Sequence, residues 1–321
     1  TLPAPGSGAD FNIGPSWELG EFTRNVLNLN HQPVGFPKGG YLGLMGGDPT
    51  LSYNDVIAAE GAELERLIDT CPDLRDPDVE FWFSGYSQSA DGMKVAVTRL
   101  FDDGGKYGPG GASGLNLRPR INGLILYGDP TRAPGPTKVG NNPPGWGIAR
   151  KTFPHWVNDL TWAITTETPT KPDMYACTED DTLLPLFYEW FVKAETELPF
   201  IIYSAQIIIP AIMSFIPIIG GLLGPFAPIV LASAAHTPGA TNLFATVLQG
   251  VNGAATPPNP ELVAALTAQG LLGNLPRLIA TLSALPGIQT HGEYHLPKPE
   301  FGNRTGIQVA CDIVAGFRRP P

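Results

Sequence analysis

The residues best placed to do chemistry begin with Ser87, in Gly85-Tyr86-Ser87-Gln88-Ser89. An aromatic, apolar run precedes this stretch and helix-like spacing follows it. Gly-x-Ser-x-Gly in that setting is the turn that lifts a nucleophilic serine above the edge of a sheet. Here Ser89 stands at the closing glycine. Serine is small enough for a helix to pack on the strand, though less permissive than glycine. A serine hydroxyl is a weak nucleophile at neutral pH, so it needs a base, an acid to orient that base, and donors for the oxyanion. In sheet hydrolases with this turn the three residues follow in the order Ser, Asp or Glu, His. Asp129, in Leu126-Tyr127-Gly128-Asp129-Pro130, reads as a carboxylate closing a turn after the next strand. Asp173, in Lys171-Pro172-Asp173-Met174-Tyr175, follows a later strand-like stretch, which is the more usual place for the acid. Asp180 and Asp181 read as a solvated cluster. His31 and His155 precede the acid, and His236 sits in a greasy tract where it could face a cleft. His291 and His295 lie just before the last helical pattern, and either could swing over the sheet edge toward Ser87.

The elements that must position these groups alternate along the chain. Residues 52–70 place Val56, Ala59, Leu64 and Leu67 at helical spacing. Residues 79–86 and 121–130 read as strands, the second ended by Gly128 and Pro130, and 159–168 reads as another. Met93, Val97 and Leu100 predict a helix after Ser87, and residues 306–317 predict a final one. Strands alternating with helices imply a mostly parallel sheet covered on both faces, an α/β fold.

From Leu198 to Pro260 there is no Asp, Glu, Lys or Arg. The tract is long enough to raise a membrane span. Pro199, Pro210, Pro217, Pro225 and Pro228 cut it into short pieces, Gly220-Gly221 adds a break, and no basic flank marks a cytoplasmic end. A cap of short apolar helices over an apolar site explains it better, and no transmembrane anchoring is expected. The formal charge of −10 and the absence of a basic cluster argue against a nucleic-acid partner. With 321 residues and 43% hydrophobic content the chain can bury a sizeable core, and 38 glycines and 34 prolines make it loop-rich. Three cysteines, Cys71, Cys177 and Cys311, leave at least one unpaired and read as buried thiols rather than a disulfide framework. No metal-ligand cluster or phosphate-binding glycine loop is visible, so neither cofactor nor metal is expected.

The Gly-Tyr-Ser-Gln-Ser-Ala stretch at Ser87, Leu-Tyr-Gly-Asp-Pro at 126–130 and His291-Gly292-Glu293-Tyr294 resemble the cutinase family of serine esterases. The similarity is closer to the mycobacteriophage lysin B enzymes, cutinase-like α/β-hydrolases with a Gly-Tyr-Ser-Gln-Gly elbow. They also carry an Asp-Met-Tyr-Ala stretch whose aspartate is the triad acid. Residues 173–176 match that stretch letter for letter. The resemblance implies an α/β-hydrolase core over 1–180 and 285–321, and a helical insertion or cap over 181–284. It implies Ser87 as nucleophile, Asp173 as acid and His291 as base, with His295 the runner-up. Oxyanion donors would be the Gln88 backbone N–H and Ser7, in a Pro-Gly-Ser-Gly loop similar to the family's Gly-Thr-Gly. The implied substrate is mycolyl-arabinogalactan or a similar long-chain lipid ester, cut during phage-induced lysis. The protein would be made in the host cytoplasm and act at the host's outer lipid layer. Two other readings stand beside this one: a secreted cutinase or lipase acting on shorter esters, and a non-catalytic membrane- or wall-binding protein.

Overall fold

A computed structural model describes residues 1–40, 47–48, 50–167, 171–194 and 275–317. In chain order these form β1 (Leu2–Ala4), α1 (Pro15–Asn25), α2 (Tyr53–Thr70), the single turn α3 (Pro72–Arg75), β2 (Phe81–Tyr86), α4 (Gln88–Phe101) and β3 (Ile121–Tyr127). There follow α5 (His155–Leu160), β4 (Thr161–Ile164), α6 (Leu184–Ala194), α7 (Leu275–Ala284), α8 (Gly287–His291), a small hairpin of β5 (Pro297–Lys298) and β6 (Arg304–Thr305), and α9 (Gly306–Gly316).

The four main strands make one sheet in the order β1-β2-β3-β4, every pair parallel. Side chains alternate across it. Phe81, Phe83, Leu124 and Leu126 enter a core with Leu64, Leu67 and Ile68 of α2, Met93, Val97 and Leu100 of α4, and Val157 of α5. Trp82, Ile125, Tyr127 and Ile164 face the other way, against Leu19 of α1 and Val309, Ala310 and Val314 of α9. Both faces of a parallel sheet must be covered by the helices that cross over between strands, which explains why β2 and β3 are apolar almost throughout. The expected α/β architecture is therefore present.

Local sequence explains where the elements start. Ser52 caps α2 by accepting the Asp55 N–H, and the Asp55 carboxylate returns a bond to the Ser52 N–H. Thr305 and Gln308 make the same reciprocal box at the start of α9. Along α2 the buried positions include Glu60, while Ala59, which the spacing placed on the apolar face, is only half-buried. The stretch 159–168 is a strand only over 161–164, because Asp159 and Leu160 finish α5. Cys177 and Cys311 are buried and Cys71 half-buried, all three unbridged.

The apolar tract 198–260, His236 within it, and most of the insertion lie outside the described residues. The insertion's flanks are described, and they meet. Thr281 Oγ1 accepts the Leu183 N–H at 2.7 Å, and Arg277 donates to the Thr182 carbonyl at 3.1 Å. Tyr188 of α6 packs edge-on against Tyr53 and Tyr175, so this flank sits beside Asp173. Among the described residues no helix is long and apolar enough to cross a membrane.

Candidate active site

Ser87 occupies the sharp turn between β2 and α4, with φ 59° and ψ −121°. A non-glycine residue in that region of backbone space stores strain of about 1–3 kcal/mol, which persists only where surrounding structure enforces it. The enforcement is visible. The Ser87 N–H donates to the Tyr127 carbonyl at the end of β3 (2.9 Å), and α4 folds back so closely that a Cβ at Gly85 would lie 2.4 Å from the Ser89 carbonyl oxygen. Gly85 is therefore required by the close approach of strand and helix. Gln88 is the first residue of α4, so its backbone N–H belongs to the set that a helix leaves unpaired.

The acid and the histidine come together at the next level of the sheet. Asp173 follows β4 and is wholly buried. Its Oδ1 accepts the N–H groups of Tyr175 (2.8 Å) and Ala176 (3.4 Å), and its Oδ2 accepts the Tyr294 hydroxyl at 2.5 Å. His291 Nδ1 lies 2.9 Å from both carboxylate oxygens. With a buried carboxylate on Nδ1, the proton belongs on that nitrogen, and Nε2 is left as the acceptor. Nε2 is itself buried and makes no hydrogen bond. The imidazole lies between two rings, stacked on Tyr86 at 5.2 Å and 23° and tilted on Tyr175 at 4.4 Å. Tyr86 immediately precedes Ser87, and its hydroxyl donates to the His291 carbonyl at 2.9 Å. The histidine is thereby held beside the elbow.

Several segments converge to hold this dyad. The short helix α8 abuts the acid loop, with the Met174 N–H on the Gly287 carbonyl (3.4 Å) and Thr166 Oγ1 donating to the Thr290 carbonyl (2.9 Å). Gly128, with φ +56°, lies directly beneath, where a Cβ would be 2.5 Å from His291 Cε1 and 2.8 Å from Asp173 Oδ2. The buried Arg132 donates to six backbone carbonyls: Ala133, Gly135, Pro143, Pro144, Gly145 and, in the acid loop itself, Ala176. Burial and the Asp173 charge push the Tyr294 hydroxyl's pKa well up, so it stays a proton donor to that carboxylate. Burial, then Asp173 and Tyr175, raise Tyr86 in the same sense.

The remaining candidates fall elsewhere. Asp129 closes the turn after β3 through Thr131 and pairs with Lys94 of α4 at 2.6 Å. His295 is exposed, His31 pairs with Glu21 and lies tilted against Trp17, and His155 opens α5. Asp180 accepts from Trp146 and pairs with Arg150 at the surface, and Asp181 is exposed. Ser7 lies past the end of β1, its hydroxyl buried and unpartnered, next to Gly6, which rests against the Tyr86 ring. Sequence reasoning assigned no role to Tyr294, Tyr86, Tyr175 or Arg132. Tyr294 had a visible signal, standing three residues after the histidine. Among the described residues no three His, Cys, Asp or Glu side chains gather as a metal site requires.

A parallel sheet covered on both faces, a strained serine between strand and helix, and the chain order Ser, Asp, His together define an arrangement. The chain has an α/β-hydrolase fold. No family model and no curated protein matches it. Among solved structures it is similar to lysin B from mycobacteriophage D29, at 20% identity and a TM-score of 0.41, over 60% of this chain and 73% of that one. It is also similar to a cutinase-like protein from Cryptococcus sp., at 18% identity and a TM-score of 0.35, over 50% and 72% of the two chains. A third likeness is to the catalytic core domain of acetyl xylan esterase from Trichoderma reesei, at 16% identity and a TM-score of 0.37, over 61% and 95%. Likenesses this loose leave the chemistry to be read from the side chains.

Proposed function

We propose that this protein is a serine ester hydrolase working through an acyl-serine intermediate. The observation that carries the reading is the His291–Asp173 pair, at 2.9 Å, stacked on the residue that precedes the strained Ser87. Ser87 Oγ attacks the ester carbonyl while His291 Nε2 takes its proton. Asp173 holds the imidazole in the required tautomer and balances the charge that forms on it. The Gln88 N–H and Ser7 meet the developing oxyanion. The imidazolium then protonates the departing alcohol, and water activated by the same nitrogen releases the acid.

The substrate we propose is a long-chain lipid ester, with mycolyl-arabinogalactan first among such esters. Its support is the charge-free tract 198–260 placed between acid and histidine, and the Asp-Met-Tyr-Ala stretch at Asp173. Large apolar side chains also stand exposed on both segments that carry the site, Phe11 and Ile13 beyond Ser7 and Ile288 beside His291. On this reading the protein acts at the lipid layer of a mycolic-acid bacterium, at the end of a phage infection. The test is incubation of wild type and Ser87→Ala with purified mycolyl-arabinogalactan, followed by lipid analysis. Release of mycolic acid by the wild type alone is expected. Activity confined to short p-nitrophenyl esters would move the assignment to a cutinase-like esterase. Full lytic activity in Ser87→Ala, with no ester cleaved by either protein, would end the enzyme reading.

A further inference from the structure

Ser89 stands where this type of turn ordinarily has glycine, and its side chain is used. Its hydroxyl, within a residue only 1% exposed, donates to the Pro5 carbonyl. Pro5 is the first residue past β1, whose ladder with β2 ends at Ala4↔Gly85. Pro5 opens the loop that carries Gly6 and Ser7. The bond therefore crosses from the nucleophile turn to that loop just where the backbone ladder stops.

Both donors proposed for the oxyanion lie at the ends of this bond. Gln88 directly precedes Ser89, and Ser7 is two residues beyond Pro5. Two donors on segments more than 80 positions apart have to converge on one oxygen at about 2.7–3.1 Å, and a supporting contact left slack costs catalysis. Beneath Ser89 lies Glu60 of α2, wholly buried, with neither carboxyl oxygen in a hydrogen bond of good geometry. Gly92 leaves the space for it, since a Cβ there would sit 2.0 Å from Glu60 Oε2. Burial, then the Asp91 charge, push the Glu60 carboxyl well above its usual pKa, and the nearby Ser89 hydroxyl offsets this in part. A carboxyl whose pKa burial pushes up on one side and a carbonyl on the other surround a hydroxyl that has a single proton to give.

We infer that Ser89 is a positioning residue for the oxyanion hole, locking the loop that carries Ser7 to the turn that carries Ser87 and Gln88. The inference rests on the esterase reading. Glycine at this position would preserve the turn's backbone but release the loop.

The experiment compares wild type, Ser89→Gly, Ser89→Ala, Ser7→Ala and the double variant Ser89→Ala/Ser7→Ala on p-nitrophenyl butyrate. An organophosphonate counts the competent Ser87 in each sample, so that misfolded protein does not enter kcat. Expected for both Ser89 variants is a fall in kcat of about tenfold or more with KM little changed. Inhibition by an alkyl trifluoromethyl ketone, which mimics the tetrahedral adduct, should weaken by the same factor. With the buried, unpartnered Ser7 hydroxyl as the loop's donor, the double variant should lose little beyond Ser7→Ala, because both changes disable that one donor. Wild-type kcat in the Ser89 variants overturns the inference, as does a merely lowered melting temperature with unchanged activity per competent site. Additive losses in the double variant also overturn it. A wild type that hydrolyses no ester and is not labelled at Ser87 removes the esterase reading itself, a distinct outcome.

Discussion

Gly128→Ala puts a single methyl group under the dyad, and the structure sets its consequences closely. The new Cβ would lie 2.5 Å from His291 Cε1, 2.6 Å from Nδ1 and 2.8 Å from Asp173 Oδ2. Comfortable carbon contacts are about 3.5–4.0 Å, so something must give by about 1 Å. The imidazole cannot slide sideways, because Tyr86 and Tyr175 flank it. Gly128 cannot easily retreat, since its N–H is on the Ile164 carbonyl at 3.2 Å and its residue closes β3. The remaining movement is of the ring away from Asp173 and out of its stack on Tyr86, the neighbour of Ser87. Misplacing a catalytic group by about 1 Å costs on the order of 100-fold. The left-handed backbone at φ +56° adds about 1–2 kcal/mol against any residue with a Cβ.

Gly128→Ala should thus lose about 100-fold or more in kcat/KM on p-nitrophenyl butyrate, while unfolding in urea reports a loss of roughly 1–3 kcal/mol. The rate of Ser87 labelling by an organophosphonate should fall in the same proportion as kcat/KM. The two readouts must be taken together, because only their combination separates a displaced base from a collapsed fold. A folded Gly128→Ala protein with wild-type turnover would refute the placement of His291 as the base.

Two further substitutions probe the groups around the site. Tyr294→Phe removes one of the donors on the buried Asp173 carboxylate. It should destabilise the protein by roughly 1.5–3 kcal/mol in urea and lower kcat about tenfold with KM little changed, and an unaltered kcat would show that Tyr294 serves packing alone. Glu60→Gln tests the buried carboxyl through pH. Its folded pKa is raised from 4.5, so the folded state retains a proton that the unfolded chain releases. That contribution is fully present below the unfolded pKa and is lost as pH rises toward the folded one. The variant should therefore gain on wild type as pH rises above about 4.5, by no more than about 1.4 kcal/mol per unit, and parallel stability curves would contradict the assignment.

What could be read from sequence follows the range of the forces involved. Short apolar runs in Phe81–Tyr86 and Ile121–Tyr127, and helical spacing in 53–70 and 88–101, are local patterns, and the sheet and its flanking helices follow from them. Chain order and flanking elements singled out Ser87, Asp173 and the pair His291 and His295, and the structure brings Asp173 and His291 within 2.9 Å of each other. Choosing His291 over His295 needed the resemblance, since four positions along one loop decide which ring faces the carboxylate. The apolar composition of 198–260 is plain from the sequence, but the cap expected there lies outside the described residues.

The illegible part consists of side-chain ties between distant segments. Ala59 and Glu60 differ by about 100° around α2, so a small error in helix phase exchanges a half-buried alanine for a fully buried carboxyl. Asp129 reads along the chain as a carboxylate closing a turn, and only when α4 is packed on the sheet does Lys94 arrive within 2.6 Å of it. Ser89 is the sharpest case. Read along the chain it is a missing glycine, a defect in a pattern of five residues. Only when β1 lies beside β2 does the Pro5 carbonyl come within reach, and the same letter becomes a donor. Glycine at this position could not make that bond, and with it would go the side-chain tie between the two segments that we propose to carry the oxyanion hole.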